Sequence, residues 1–149
     1  MAKGCVSTII DAPIAAAWAV AREFGRGGDW IPGVESIVVE GGGPGDQVGC
    51  VRAVKVNAEL SIRETLLALS DVTHSMTYKV VPPEGSPFTA LIGTLSLRPL
   101  TEGNRTFAEL GFELIPVPGA DLAPVAGHLE GDTYPAMLGA LKAHIEKRG

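Results

Sequence analysis

Long apolar runs are missing from this 149-residue chain. No stretch approaches the roughly 20 apolar residues that a membrane span needs, so no membrane partner is expected. Basic runs are missing too. The net charge is −5, with 12 Lys and Arg against 17 Asp and Glu, which argues against nucleic acid and against an anionic membrane surface as partners. Cysteine is down to Cys5 and Cys50, both in strand-like segments, and these are read as free buried thiols rather than a disulfide. No spacing of His, Cys, Asp and Glu resembles a metal site. No Gly-rich stretch follows a strand and opens a helix as a nucleotide loop would, and Gly41–Gly45 reads as a hairpin turn. There is no Gly-x-Ser-x-Gly elbow. Neither cofactor nor metal is therefore expected.

What is present suits one domain spanning residues 1–149, long enough for a proper core. Hydrophobic residues make up 46% and charged ones 19%, a balance that excludes a disordered chain. Met1-Ala2-Lys3-Gly4-Cys5 runs straight into β-branched residues, unlike a signal peptide, and the expected location is cytoplasmic.

Val6 to Asp11 reads as a first strand. A helix follows over Ile14 to Phe24, with Pro13 in its first turn and Asp11 as a cap candidate. Asp29 to Gly33 reads as a second short helical turn. Six strand-like runs come next: Val34–Glu40, Gly49–Asn57, Leu60–Ser70, His74–Val81, Phe88–Arg98 and Arg105–Ile115. Short turn-forming links join them, which implies an antiparallel meander. The last run alternates cleanly, with Ala108, Leu110, Phe112 and Leu114 inward. Phe88–Arg98 is apolar on both faces; Ala90 and Ile92 are taken as inward, leaving Leu91, Leu95 and Leu97 as an outer row. Asp121 to Lys147 carries a helical stripe of Tyr134, Met137, Leu138, Leu141 and Ile145. Pro135 should kink or break that helix.

Glu64 sits on the wrong face of its strand. Ser61, Arg63 and Thr65 mark the outer side, so Glu64 shares the inner side with Leu60, Ile62, Leu66 and Ala68. A carboxylate there is costly to bury unless it is paired, protonated or next to a wet cavity. The preceding strand repeats the pattern: Lys55 and Asn57 face out, and Arg52 faces in with Cys50, Val54 and Val56. Opposite charges pointing inward from neighbouring strands imply a pocket between a curved sheet and the last helix.

The order of these pieces resembles the helix-grip fold of the START and birch-pollen-allergen-like (SRPBCC) superfamily, in its polyketide cyclase/dehydrase-type branch. The resemblance rests on Asp11-Ala12-Pro13 opening a helix with Trp18 and Phe24, and on Trp30-Ile31-Pro32-Gly33-Val34. It continues through Gly49-Cys50-Val51-Arg52, Arg63-Glu64-Thr65-Leu66, Asp71, Tyr78, and a last helix with Leu138 and Leu141-Lys142. It implies an α+β fold: a curved seven-stranded antiparallel sheet wrapped around a long C-terminal helix, with two short helices near the N-terminus. Strand for strand the chain is also similar to the plant hormone receptors of this superfamily. There the positions matching Arg52, Val54, Val56, Glu64, Tyr78 and Val80 face a ligand cavity. The link between Val56 and Ser61 is too short for the mobile gate of those receptors.

Two functions of different class follow. In one, an enzyme of secondary metabolism promotes cofactor-free cyclisation, dehydration or rearrangement of an apolar intermediate. Glu64 would move a proton next to a carbonyl that Arg52 and Tyr78 polarise. In the other, a carrier binds an apolar small molecule and the same groups only orient it. The expected ligand-binding residues are Trp30 at the pocket mouth, Val54, Val56, Ile62, Val80, Ala90, Ile92, Leu110, His128 and Pro135. His128 doubles as a candidate proton shuttle. The chain is expected as a monomer or homodimer. The outer row Leu91, Leu95 and Leu97 is a third, protein-binding candidate.

Overall fold

The computed structural model describes residues 2–148. Strand β1 (Ala2–Ile10) leads into helix α1 (Ile14–Ala21) and a 3₁₀ turn at Phe24–Asp29. Strands β2 (Ser36–Val39), β3 (Val51–Lys55), β4 (Ser61–Ser70), β5 (Ser75–Val81), β6 (Phe88–Leu100) and β7 (Arg105–Pro116) follow. Helices α2 (Ala123–His128) and α3 (Tyr134–Arg148) close the chain, joined by a π-helical segment at Leu129–Thr133. All strand pairs are antiparallel, in the order β1-β7-β6-β5-β4-β3-β2. The second helical turn thus lies at Phe24–Asp29 rather than Asp29–Gly33. Pro13 caps α1 in an extended conformation, and the Asp11 side chain makes no capping bond to it.

The period of β-structure sorts the residues of each strand into two faces. Val6, Thr8 and Ile10 turn inward on β1, so Cys5 turns outward and is exposed, not buried. On β7, Thr106, Ala108, Leu110, Phe112 and Leu114 are all buried. The inner residues line up in rows across the sheet. One row runs Leu66, Tyr78, Gly93, Phe112, Gly4; the next runs Arg52, Glu64, Val80, Leu91, Leu114.

Two bulges reset the alternation. Leu67 is the extra residue on β4, so Leu69 continues the inner face and Ala68 is exposed, against the expectation for Ala68. The irregularity between Phe88 and Ala90 has the same effect on β6. Past it, Leu91, Gly93, Leu95 and Leu97 pair with the inward residues of β7 and are buried. The leucines therefore belong to the core and offer no outer row for a partner protein.

Helix α3 lays Tyr134, Leu138, Leu141 and Ile145 against this face. Proline has no N–H to donate, yet the chain stays helical through Pro135. The π-helical segment just before it supplies the wider turn that absorbs the missing bond. It also inserts one residue into the stripe, so half-buried Leu129 is followed five residues later by Tyr134. Lys142 Nζ donates to the Ile9 carbonyl at 2.6 Å, and Glu146 accepts from the Asp11 N–H at 2.8 Å, which fixes the end of α3 to the end of β1. On the other side, Asp71 accepts from Trp18 Nε1 at 2.7 Å and from Arg22 Nε at 2.9 Å, clamping α1 to the β4–β5 turn. Among the described residues, no helix is long and apolar enough to cross a membrane.

Glycine is required at Gly93, because a Cβ there would collide with the Tyr78 phenol lying across it. Gly111, on the neighbouring strand and the opposite face, has only ordinary contacts around its would-be Cβ, at 3.5 and 3.6 Å. Gly93→Ala is expected to destabilise the fold by about 1–3 kcal/mol through overpacking. Gly111→Ala is expected to be neutral or stabilising by up to about 1 kcal/mol. Urea midpoints of the two variants check the contrast.

Candidate functional site

Arg52 and Glu64 face each other directly across β3 and β4. Arg52 Nε donates to Glu64 Oε1 at 2.7 Å, and Nη2 lies against the same oxygen. Both side chains are deep in the protein, at 6% and 14% exposure. Arg52 Nη1 donates to the Phe24 carbonyl at 2.7 Å, and the guanidinium lies 3.9 Å from the centre of the Phe24 ring. A buried guanidinium must be paired and hydrogen-bonded to be tolerated, and here a carboxylate, a carbonyl and an aromatic face together meet that need.

Beside this pair sit two phenols. Tyr78 and Tyr134 share a hydrogen bond of 3.0 Å between hydroxyls, and Tyr134 stacks edge-on against Phe112 at 5.5 Å. Burial pushes Tyr78 up to about 12, an effect that its bond to Tyr134 partly offsets. Burial likewise raises Tyr134, reinforced by the neighbouring Tyr78. Both therefore stay neutral at physiological pH and keep a proton to donate.

A small cavity of about 20 Å³ opens beside Arg52 and Tyr78. That is space for roughly one water molecule. Its walls come from α1 (Ala21), the residues around the 3₁₀ turn (Glu23, Gly27, Trp30, Ile31), the sheet (Arg52, Met76, Tyr78, Leu95, Leu110) and α3 (Met137, Leu138, Leu141). Arg52, Tyr78, Trp30 and Leu110 are thus brought together. Glu64 lies behind Arg52 and is not part of the wall. Val54 is buried and Val56, Ile62 and Val80 are half-buried, all away from the cavity. Ala90 is buried beside the β6 irregularity and does not reach it.

Three expected residues lie elsewhere. Ile92 is on the outer face, near Cys5 and Thr94, because the β6 irregularity reverses the assumed phase. His128 is 68% exposed and pairs with Asp132 at 3.1 Å. Pro135 is exposed as well, because it is one residue past Tyr134 and so lies off the buried stripe of α3. Phe24 and Tyr134 were not nominated from sequence. Tyr134 had a signal in its place on the α3 stripe; Phe24, read as the end of the first helix, lies past α1 in the structure and had no signal pointing to Arg52. Among the described residues, no three His, Cys, Asp or Glu side chains are grouped as metal ligands would be.

The family model for polyketide cyclase / dehydrase and lipid transport proteins matches residues 1–146. The chain belongs to that family. No curated protein sequence matches it. Among solved structures, this polyketide cyclase/dehydrase family member is similar to a Nitrosospira multiformis protein at 25% identity, with a TM-score of 0.79 and coverage of 99% of this chain and 100% of the other. It is similar to XoxI of Bacillus cereus at 25% identity, TM-score 0.78, over 97% and 96% of the two chains. Ara h 8.0201 shares the fold at 13% identity, TM-score 0.78, over 98% of both. The family member thus has the helix-grip fold of the START and birch-pollen-allergen-like superfamily.

The chain has two tyrosines, and both are in this site. Native protein is expected to show no tyrosinate absorbance near 295 nm at pH values where the urea-unfolded chain ionises both phenols, around the ordinary value of 10.0. The linkage has a definite sign. Because the folded values are raised, the tyrosine contribution to stability is complete below pH 10.0 and is lost as pH rises toward about 12. A native spectrum that titrates at the unfolded value would contradict the buried phenol pair.

Proposed function

We propose that the chain binds an apolar small molecule bearing a carbonyl or carboxylate between the sheet and α3, as a ligand-binding member of its family. The observation that carries this reading is a polar corner in an apolar cavity: the Arg52 guanidinium and the Tyr78 hydroxyl meet walls of Met76, Leu95, Leu110, Leu138 and Leu141. A few placed polar groups in an otherwise apolar site are what orient a small ligand. The bonds of Arg52 to Glu64 and Phe24 leave part of its five N–H donors for a ligand oxygen. With Tyr134 donating to Tyr78, the Tyr78 phenol keeps its one proton for a second bond to the ligand.

In the enzymatic form of this reading, the oxygen of a bound carbonyl draws charge toward Arg52 and Tyr78. Glu64 removes a proton from the adjacent carbon; the resulting enolate either attacks a second carbonyl of the same ligand, whose new alkoxide takes the proton back, or expels a β-hydroxyl that leaves as water with that proton, and no cofactor is needed. In the carrier form, the same groups hold the ligand and no bond changes. The placement of Glu64 behind Arg52 favours the carrier form, since a base must come within hydrogen-bond reach of the proton it takes.

Native mass spectrometry of protein purified from its own host tests the reading. A co-purifying apolar compound with a carbonyl or carboxylate is the expected result, and a persistently empty protein contradicts the carrier form. Glu64→Gln then separates the two forms with that compound. Binding kept with turnover lost supports the enzyme; binding kept, with no turnover in either protein, supports the carrier.

A further inference from the structure

Trp30 faces two spaces at once. On one side it walls the small cavity of about 20 Å³ with Arg52 and Tyr78. On the other it walls an open cleft of about 450 Å³ between α1 and the last turns of α3. The floor of that cleft is small and apolar: Ala12, Pro13, Ala16, Ala19, Val20 and Ile145. The cleft exists because α1 carries alanine, and only a methyl, at positions 16 and 19. Charges of both signs rim it, including Arg26, Arg148, Asp11 and Asp29, so it selects no ionic head group by net charge.

The segment between the two spaces is glycine-rich. It reads Phe24-Gly25-Arg26-Gly27-Gly28-Asp29, and Trp30 and Ile31 both donate backbone N–H groups to the Gly27 carbonyl, at 3.1 and 2.8 Å. Its first residue is held by Arg52 through the Phe24 carbonyl and ring. One end is thus pinned to the sheet, and the close-packed glycines hold the backbone, so it is the half-buried indole of Trp30 that moves, by rotation about its own side-chain bonds.

From this arrangement we infer that the ligand site is composite. The cleft between α1 and α3 holds the apolar body of the ligand, and displacement of Trp30 lets its carbonyl reach Arg52 and Tyr78. The inference rests on the binding reading above and adds where the ligand's bulk lies. Size decides the point. The small cavity has room for roughly one water, whereas the cleft has the capacity of an ordinary small-molecule site, roughly 300–1,000 Å³.

The test uses 6-propionyl-2-dimethylaminonaphthalene, a neutral aryl ketone whose emission shifts to the blue in apolar surroundings. Wild-type protein is expected to bind it with that shift. Ala16→Leu and Ala19→Leu fill the cleft from exposed positions of α1 with a good helix former, so the fold is retained and unchanged melting temperatures verify it. Each is expected to weaken binding about tenfold or more, as losing the methylene contacts of a ligand tail requires. Trp30→Ala is expected to speed association severalfold. Equal affinity of wild type and both leucine variants overturns the composite site while leaving the binding reading in place. An association rate unchanged by Trp30→Ala overturns the role of the indole. Failure of the wild type to bind overturns the binding reading itself, and this inference with it.

Discussion

A single buried guanidinium organises this molecule. Arg52 points from β3 into the space where an ordinary sheet would place an aliphatic residue, and everything within reach answers its charge. Glu64 on the next strand supplies a carboxylate, Phe24 a carbonyl and an aromatic face. Burying such a pair gives little net stability over a well-packed apolar pair, while leaving one member alone is severely costly. The arrangement is therefore better explained by what it permits than by what it stabilises. It keeps one corner of the inner face polar and fixes the start of the glycine-rich turn that carries Trp30.

Next to this charged pair the sheet builds a neutral one. The row Tyr78, Gly93, Phe112, Gly4 alternates large and absent side chains, so each ring lies flat over its neighbour's glycine. Tyr134 then descends from α3 to bond Tyr78 and to abut Phe112. Charge and neutral donor end up side by side at the wall of an apolar cavity. Family membership supports a domain that binds hydrophobic ligands, and this corner is where the proposal above places the ligand oxygen.

Much of the fold was legible because most strands carry one polar and one apolar side. Glu64 and Arg52 were readable as inward neighbours for the same reason: their outer partners Arg63, Thr65 and Lys55 are polar. Legibility failed where an extra residue shifted the phase. Leu67 moved Ala68 outward, and the β6 irregularity exchanged Ile92 for Leu91 on a strand whose two faces are both apolar. His128 and Pro135 failed for a plainer reason: neither lies on the helical stripe of Tyr134, Leu138, Leu141 and Ile145 that faces the sheet. The size of the cavity was not readable at all. It depends on how far Met137, Leu138, Leu141 and Trp30 fill the space, and that is a property of packing rather than of pattern.

The central claim is that Arg52 and Glu64 act as one buried unit, and a double-mutant cycle in urea tests it most directly. Arg52→Met alone should cost about 3–5 kcal/mol, because it strands the Glu64 carboxylate, and Arg52→Met with Glu64→Leu together should recover most of that loss. If the single variant costs under about 1 kcal/mol, within the range of an exposed pair, or if the double variant is no better than the sum of the singles, the pair is not the unit on which this site is built.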